Sequence, residues 1–394
     1  MKFSTQLLNF EAAPKDPFAA SSTPIYQTAT FRQQNATEFG EYDYSRSGNP
    51  TRAVVENQIA ALEGGVRGFC FSSGMAAISA VTRLLKPREE IVAGNDLYGG
   101  TYRLLSRILE PHGINVRYVD FTDLELIEAA VSGKTKLLYC ESPTNPLLQI
   151  VDIAAVTEIA HRCGALICVD NSTMSPYLQR PLELGADIVV HSATKFLCGH
   201  GDVMAGAAVV RSDKLAEDLY LIYNGEGAGL SPFDSYLLLR GMKTLNLRMD
   251  RQQSNAEVLA EMLRQHPDVK HVYYPAFAER RQLKVHRSQS SGNGAVVSFT
   301  TGDRELSRAI VENAKLFSIA VSFGSVHSTI SLPAYMSHAS IPAQLRHQKS
   351  IPEDLVRISV GAEDIDDLVS DLREAFSAQS STDGLLCRLT SFYS

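Results

Sequence analysis

Ala186-Asp-Ile-Val-Val-His-Ser-Ala-Thr-Lys195-Phe-Leu-Cys-Gly-His-Gly201 is the stretch on which the reading of this chain turns. Its β-branched run, Ile188 to Val190, predicts a buried strand. The strand gives way at once to His191, Ser192, Thr194 and Lys195, and then to Gly199 and Gly201. Burying an ammonium at a strand end is costly unless something compensates. One compensation is chemistry, because a lysine so placed can bond covalently to an aldehyde cofactor. Ser192 and Thr194 beside it suit a phosphate. Taken alone, the same residues read equally well as a surface lysine with its stem along apolar surface, followed by a glycine-rich turn.

The sequence upstream changes that balance. Ala165-Leu-Ile-Cys-Val-Asp170-Asn171-Ser-Thr173 is a second apolar strand that ends in an acid, and Lys195 lies 25 residues beyond Asp170. In an alternating α/β chain that interval holds one crossover and one strand. Both side chains then emerge at the carboxyl edge of one sheet, where ligands sit in open α/β folds. A strand-end lysine and a strand-end acid suit pyridoxal 5′-phosphate. The lysine takes the aldehyde, and the acid pairs with the protonated ring nitrogen.

Composition narrows the alternatives. The chain has 394 residues, 44% hydrophobic and 21% charged, with a net charge of −7, which is ordinary for a globular protein. Nothing in that charge suggests nucleic acid or an anionic membrane as partner. No run approaches the roughly 20 apolar residues of a membrane span. Six cysteines at 70, 140, 163, 168, 198 and 387 form no Cys-x-x-Cys pair and read as free thiols in a reducing compartment. The ten histidines show no metal-binding spacing, so no metal site is expected. Met1-Lys-Phe-Ser-Thr-Gln resembles neither a signal nor a transit peptide, and the expected location is the cytoplasm.

Taken in order, residues 1–50 have weak periodicity and read as an extended arm, ending in Tyr42-Asp-Tyr44-Ser-Arg46-Ser-Gly48-Asn-Pro50-Thr-Arg52. Such an arm has no core of its own and is expected to lie on a second subunit. Residues 51–240 alternate strand and helix, with strands expected at 68–71, 90–93, 116–120, 136–139, 165–169, 188–190 and 205–210. This predicts a large, mostly parallel sheet with helices on both faces. Ser72-Ser73-Gly74-Met75 joins strand to helix and presents free N–H groups at a positive dipole end. Glu141-Ser-Pro143-Thr-Asn145-Pro146 stays a loop because its prolines forbid an immediate helix. Residues 241–394 form a smaller C-terminal α/β unit. There a strand and turn are expected over 318–325, a strand carrying Arg357 over 355–360 and a closing helix over 364–376, and the Ser/Thr-rich remainder reads as a mobile tail.

Seven motifs then occur in order: Tyr44-Ser-Arg46-x-x-Asn-Pro-Thr, Ser73-Gly74-Met75, Leu97-Tyr98-Gly-Gly-Thr, Glu141-Ser-Pro-Thr-Asn145-Pro, Val169-Asp170-Asn171, Ser192-Ala-Thr194-Lys195 and Arg357-Ile-Ser-Val-Gly. In this the chain resembles the fold-type I pyridoxal-phosphate enzymes of cysteine and methionine metabolism, over residues 1 to about 376. The resemblance implies that Lys195 bonds the cofactor and moves the α-proton, with Tyr98 stacked on the ring. It implies cofactor contacts from Asp170, Thr173, Ser192, Thr194, Gly74 and Met75, and from Tyr44 and Arg46 of a neighbouring subunit. Asn145, Ser322, Arg357 and Arg103 are implied substrate contacts, and the implied assembly is a homotetramer built as a dimer of dimers. Read without the family, Tyr98 is also a core aromatic, Arg357 a salt-bridged strand arginine, Glu141 a supporting acid and His191 a structural residue.

Within the family, Ser322-Phe-Gly-Ser-Val-His-Ser-Thr-Ile-Ser-Leu-Pro-Ala-Tyr-Met-Ser-His-Ala-Ser-Ile-Pro most resembles plant-type cystathionine β-lyases. γ-Synthases and γ-lyases usually carry Gly-Gly-x-Glu-Ser where this chain has Gly324-Ser-Val-His327-Ser. Methionine γ-lyases typically place a cysteine where Gly100 stands. The expected activity is therefore cleavage of L-cystathionine to L-homocysteine, pyruvate and ammonia. A γ-lyase or γ-synthase is the alternative within the family, and a pyridoxal-phosphate-holding regulatory protein the alternative outside enzymes.

Overall fold

The computed structural model describes residues 1–8, 18, 20–337 and 351–390. Its larger sheet contains seven strands: β1 (Arg67–Phe71), β2 (Glu90–Gly94), β3 (Asn115–Val119), β4 (Thr135–Glu141), β5 (Leu166–Asp170), β6 (Ile188–His191) and β7 (Gly206–Val210). They lie in the order β1-β7-β6-β5-β4-β2-β3. Only β7 runs against its neighbours β1 and β6. The expected mostly parallel sheet is therefore present, and each expected strand falls within a residue or two of its observed place.

Short apolar runs make these strands, and their alternation divides the core in two. Val189 points to one face, where it packs with Ile59 and Leu62 of helix α2 (Pro50–Glu63). Val190 points to the other, where it packs with Ile78 and Val81 of helix α3 (Gly74–Thr82). Both faces are thus buried, as a parallel sheet requires. Because β4, β5 and β6 are parallel, with Glu141 level with Asp170 and Asp170 level with Val190, their polar ends gather along one edge.

A second sheet holds β8 (His271–Tyr273), β9 (Val296–Thr300), β10 (Ser318–Ile319), β11 (Thr329–Ser331) and β12 (Val356–Ser359) in the order β10-β11-β12-β9-β8. Helix 245–265 packs between the halves, with Leu245, Met249, Leu259 and Leu263 fully buried.

Three expectations need correction. The first residues are not extended: Phe3–Leu8 is helical, and Leu7 is buried on α2, where Gln58 Nε2 donates to Leu7 O at 2.9 Å. Its apolar side chain finds cover on its own chain. The strand over 318–325 is only two residues long. Beyond it Gly324 adopts φ +86°, and a Cβ there would fall 2.7 Å from Phe196 N and 3.1 Å from Lys195 Cα, so on both counts the turn takes glycine. Finally, the closing helix does not stop at Phe376 but keeps helical backbone to Thr390. Ser377 fits into it by donating to Arg373 O at 3.0 Å, the local back-bond that lets serine sit in a helix. Residues 391–394, and 338–342 of the plant-type stretch, lie outside the described residues.

Candidate active site

Lys195 follows the end of β6, in a turn closed by Lys195 N donating to Ser192 O at 3.0 Å. Arg248 fixes the next residues, donating to Phe196 O at 2.8 Å and Leu197 O at 3.2 Å. The turn aims the lysine across the seam to the second sheet, where Nζ donates to Ser322 Oγ at 2.6 Å and lies 4.9 Å from the centre of the Phe323 ring. Burial pulls its pKa down to about 8. The Arg357 charge adds to the shift and the Asp170 charge opposes it. Such an amine is available as a base or nucleophile near neutral pH.

Asp170 ends β5 with Oδ1 accepting from Ser172 N at 2.9 Å and Oδ2 from Tyr139 OH at 3.3 Å. Burial nevertheless pushes its carboxyl up. A cation brought beside it would offset that burial and ionise it. Glu141, one strand over, is pushed well above the usual carboxylate range by burial and by Asp170. Its Oε1 accepts from Tyr98 N at 2.8 Å, so it sets the backbone that carries the Tyr98 ring. Gly100 packs against that ring: a Cβ there would come 2.4 Å from Tyr98 Cε1.

The start of α3 forms another wall. Ser73 caps it by accepting from Ala76 N at 3.1 Å, which leaves the N–H groups of Gly74 and Met75 at the open end. Gly74 must be glycine here, since a Cβ would fall 2.9 Å from Ser192 Cα. An anion at the open end of α3, alongside Ser192, would meet both the dipole end and these N–H groups.

From the second sheet comes Arg357, 1% exposed. It donates to Asn145 Oδ1 at 2.9 Å and to Ser322 O at 3.0 Å. Its Nε has no hydrogen-bond partner, and no acid forms an ion pair with it among the described residues. Burial pulls its pKa down to about 10. The salt-bridged reading of Arg357 therefore fails, and a buried guanidinium is left aimed at whatever carboxylate arrives.

One cavity of about 210 Å³ is lined by Gly74, Met75, Tyr98, Asn145, Asp170, Thr173, Ser192, Thr194, Lys195 and Arg357. Ser322 joins through its bond to Lys195. The Thr194 hydroxyl is already engaged with Ala205, accepting from its N at 2.9 Å and lying 3.1 Å from its O. Thr173 Oγ1 donates to Pro143 O at 3.1 Å. Tyr44 and Arg46 stand outside the cavity, on an exposed cleft with Arg52, Gly227 and Pro232. Arg103 is exposed on helix 99–104 and does not line the cavity. His327 is exposed and does not line it either. Sequence reasoning missed Ser73, Ile78, Ser172, Met204, Val321 and Phe323, which also line it. Of these, Ser73 and Ser172 were the findable ones, since Ser73 opens a quoted motif and Ser172 directly follows one.

A cofactor for this cavity must offer an aldehyde to Lys195, a basic nitrogen to Asp170 and an anionic end to the start of α3. Pyridoxal 5′-phosphate meets all three demands, which puts the protein in the class of fold-type I enzymes that depend on it. The chain belongs to the Cys/Met metabolism PLP-dependent enzyme family, whose sequence profile matches residues 4–377. It is 56% identical over 373 residues to the chloroplastic cystathionine β-lyase of Arabidopsis thaliana, covering 95% of this chain and 80% of that one. It is 47% identical over 371 residues to the cystathionine β-lyase MetC of Bacillus subtilis, covering 94% and 95%. Among solved structures, a cystathionine γ-lyase from Lactobacillus plantarum complexed with L-serine superposes with a TM-score of 0.92 at 42% identity, covering 96% of this chain and 99% of that one.

Proposed function

We propose that this chain is a carbon–sulfur lyase that cleaves L-cystathionine to L-homocysteine, pyruvate and ammonia, a cystathionine β-lyase of methionine biosynthesis. The observation that carries the reading is Arg357, a buried guanidinium with no acid partner among the described residues, across the seam from Lys195, whose pKa burial pulls down to about 8. Bound here, pyridoxal 5′-phosphate supplies an aldehyde for a covalent bond to an amine and a ring that accepts the electrons left at Cα. Lys195 would hold the aldehyde, Asp170 the ring nitrogen, and Gly74, Met75 and Ser192 the phosphate.

Arg357 and Asn145 bind the substrate carboxylate and turn the Cα–H bond across the ring plane. Set free when the substrate amine takes its place on the aldehyde, Lys195 would take the proton from Cα, with Ser322 Oγ holding its amine. Tyr98, its backbone fixed by Glu141, would cover the ring. The β-thiolate then leaves and takes up a proton to become L-homocysteine, and water hydrolyses the remaining three-carbon fragment to pyruvate and ammonia.

Elimination at Cβ rather than Cγ is favoured by the acids of the cavity. Among the described lining residues they are Glu141 and Asp170, and both are engaged, by Tyr98 N–H and by Ser172 and Tyr139. Neither is left to hold a distal ammonium through a second proton removal. Purified protein given L-cystathionine should release pyruvate; mainly 2-oxobutyrate would make it a γ-lyase instead.

The assembly is proposed as a homotetramer in which Tyr44 and Arg46 reach a neighbour's phosphate. Their exposure away from their own cavity supports this. The division into an arm at 1–50, a cofactor unit at 51–240 and a C-terminal unit at 241–394 is proposed on the two sheets. No helix among the described residues is long and apolar enough to cross a membrane. The cytoplasm is proposed as location, supported by the free thiols of Cys70, Cys140, Cys163, Cys168 and Cys198.

A further inference from the structure

Beneath the strand ends lies a buried polar cluster that this chemistry does not use. Glu63 closes α2 and His191 ends β6, and both are fully buried. His191 Nε2 lies 2.7 Å from Glu63 Oε1, and Asn171 Nδ2 donates to the same oxygen at 3.0 Å. Asn171 Nδ2 also donates to Gln179 O at 2.7 Å. Gln179 Nε2 in turn donates to Ser142 O at 2.6 Å, and its Oε1 accepts from Ser290 Oγ at 2.7 Å. The cluster therefore holds three neighbouring strand ends at once. Ser142 leads to Asn145, Asn171 follows Asp170 directly, and His191 leads into the turn of Lys195.

None of its members lines the cavity. His191 shares its sheet face with Val189 and α2, whereas the cavity opens on the face of α3. Whatever the cluster does for the reaction, it does through the backbone it holds. Nor is it a good way to gain stability. Glu63 Oε2 and His191 Nδ1 have no hydrogen-bond partner among the described residues. Apolar side chains of like volume would pack there at lower cost. Such a cluster gives direction instead, because each bond fixes a distance and an angle that apolar packing leaves loose.

We propose that Glu63 is a positioning residue. By gripping Asn171 and His191 it fixes the spacing of Asp170 and Lys195, and through Gln179 it extends that frame to Asn145, so the three meet the cofactor in one setting. This rests on the pyridoxal-phosphate reading of the cavity.

The test uses the full-length holoenzyme with pyridoxal 5′-phosphate as probe. Glu63→Leu keeps the bulk and removes the acceptor. It should weaken cofactor binding by about tenfold and reduce the visible circular dichroism per bound cofactor, which reads the asymmetry of its setting. It should also lower kcat by about ten- to hundredfold while KM changes little. Glu63→Gln keeps an acceptor oxygen for Asn171 and should recover most of each loss. Wild-type dichroism and kcat in Glu63→Leu would overturn the proposal, and so would equal losses in both variants. If Glu63→Leu fails to fold, Gln179→Met, which cuts the arms to Ser142 and Ser290, is read by the same measurements. Reduced dichroism and kcat at unchanged KM support the proposal there, and unchanged values overturn it. A wild-type enzyme that makes no pyruvate from cystathionine would overturn the substrate reading alone, because the dichroism comparison needs only the bound cofactor.

Discussion

Lys195 Nζ and Ser322 Oγ meet at 2.6 Å across the seam between the two sheets. The serine oxygen accepts from the amine and holds it on the side of the seam where Arg357 is proposed to bind the substrate carboxylate. Ser322→Ala should therefore lower kcat by about tenfold, with less effect on cofactor affinity. Steady-state kinetics beside a cofactor titration checks this, and an unchanged kcat would deny the serine any part in the reaction.

The depressed basicity of Lys195 has a consequence for the cofactor-free protein. Folded, the amine gives up its proton near pH 8; unfolded, it keeps it to about pH 10.4. Between those values the unfolded chain binds more protons, so stability rises with pH across that window, and below pH 8 the penalty stands in full. Lys195→Met should stabilise the apoprotein at pH 7 by at most about 3 kcal/mol, and the gain should shrink at pH 9.5. Urea unfolding of both proteins at both pH values reads it. A gain independent of pH would mean the amine is not the cause.

Arg357→Lys keeps a positive charge but not the fork that spans Asn145 Oδ1 and Ser322 O. The expected result is a fall in kcat/KM of about a hundredfold, carried mostly by KM, with the visible spectrum of the bound cofactor preserved. Loss of the spectrum as well would make Arg357 a support for the cofactor rather than a substrate contact.

Gly100→Cys would place a Cβ 2.4 Å from the Tyr98 ring and 2.9 Å from Met75 Sδ. Both neighbours are side chains and can move, so the fold should survive while Tyr98 is displaced. Turnover should fall by about tenfold and the visible band of the cofactor should shift. A wild-type spectrum with wild-type turnover would show that the ring has no fixed place.

Shared sites can be tested by complementation. Arg46→Ala and Lys195→Ala should each be inactive, and refolding them together should return part of the activity, since one site of a hybrid pair keeps both residues. Verified hybrids without activity would argue that Tyr44 and Arg46 serve no neighbour.

The sequence showed best what the strands themselves deliver. Asp170 and Lys195 were readable because each ends or follows an apolar run, and adjacent parallel strands carry their ends to one edge. Arg357 was readable from alternation, since Val356 and Ile358 flank it in β12. Contacts made across the fold left no local trace. The bond of Glu63 to His191 joins residues 128 apart, and His191 alone read as structural. Motif position also misled where the backbone turns. His327 stands where related enzymes carry a glutamate, yet the chain leaves Gly324 facing away from the cavity. Arg103 follows the Tyr98 motif closely, but helix 99–104 turns it to solvent. The last residues read as loose from composition, which says little once a helix already under way can absorb serines.

Gly324 rests directly on the backbone of Lys195 and Phe196, with no room for a methyl group between them. That contact is a mechanical stop. It contains no charge, so neither salt nor protons can loosen it, and no water fits in to exchange with it. The gap across which Lys195 reaches Ser322 is thus set by hard atomic radii, while everything that titrates in the cavity is free to change its charge. The enzyme can alter the state of its amine with pH and keep the same reach.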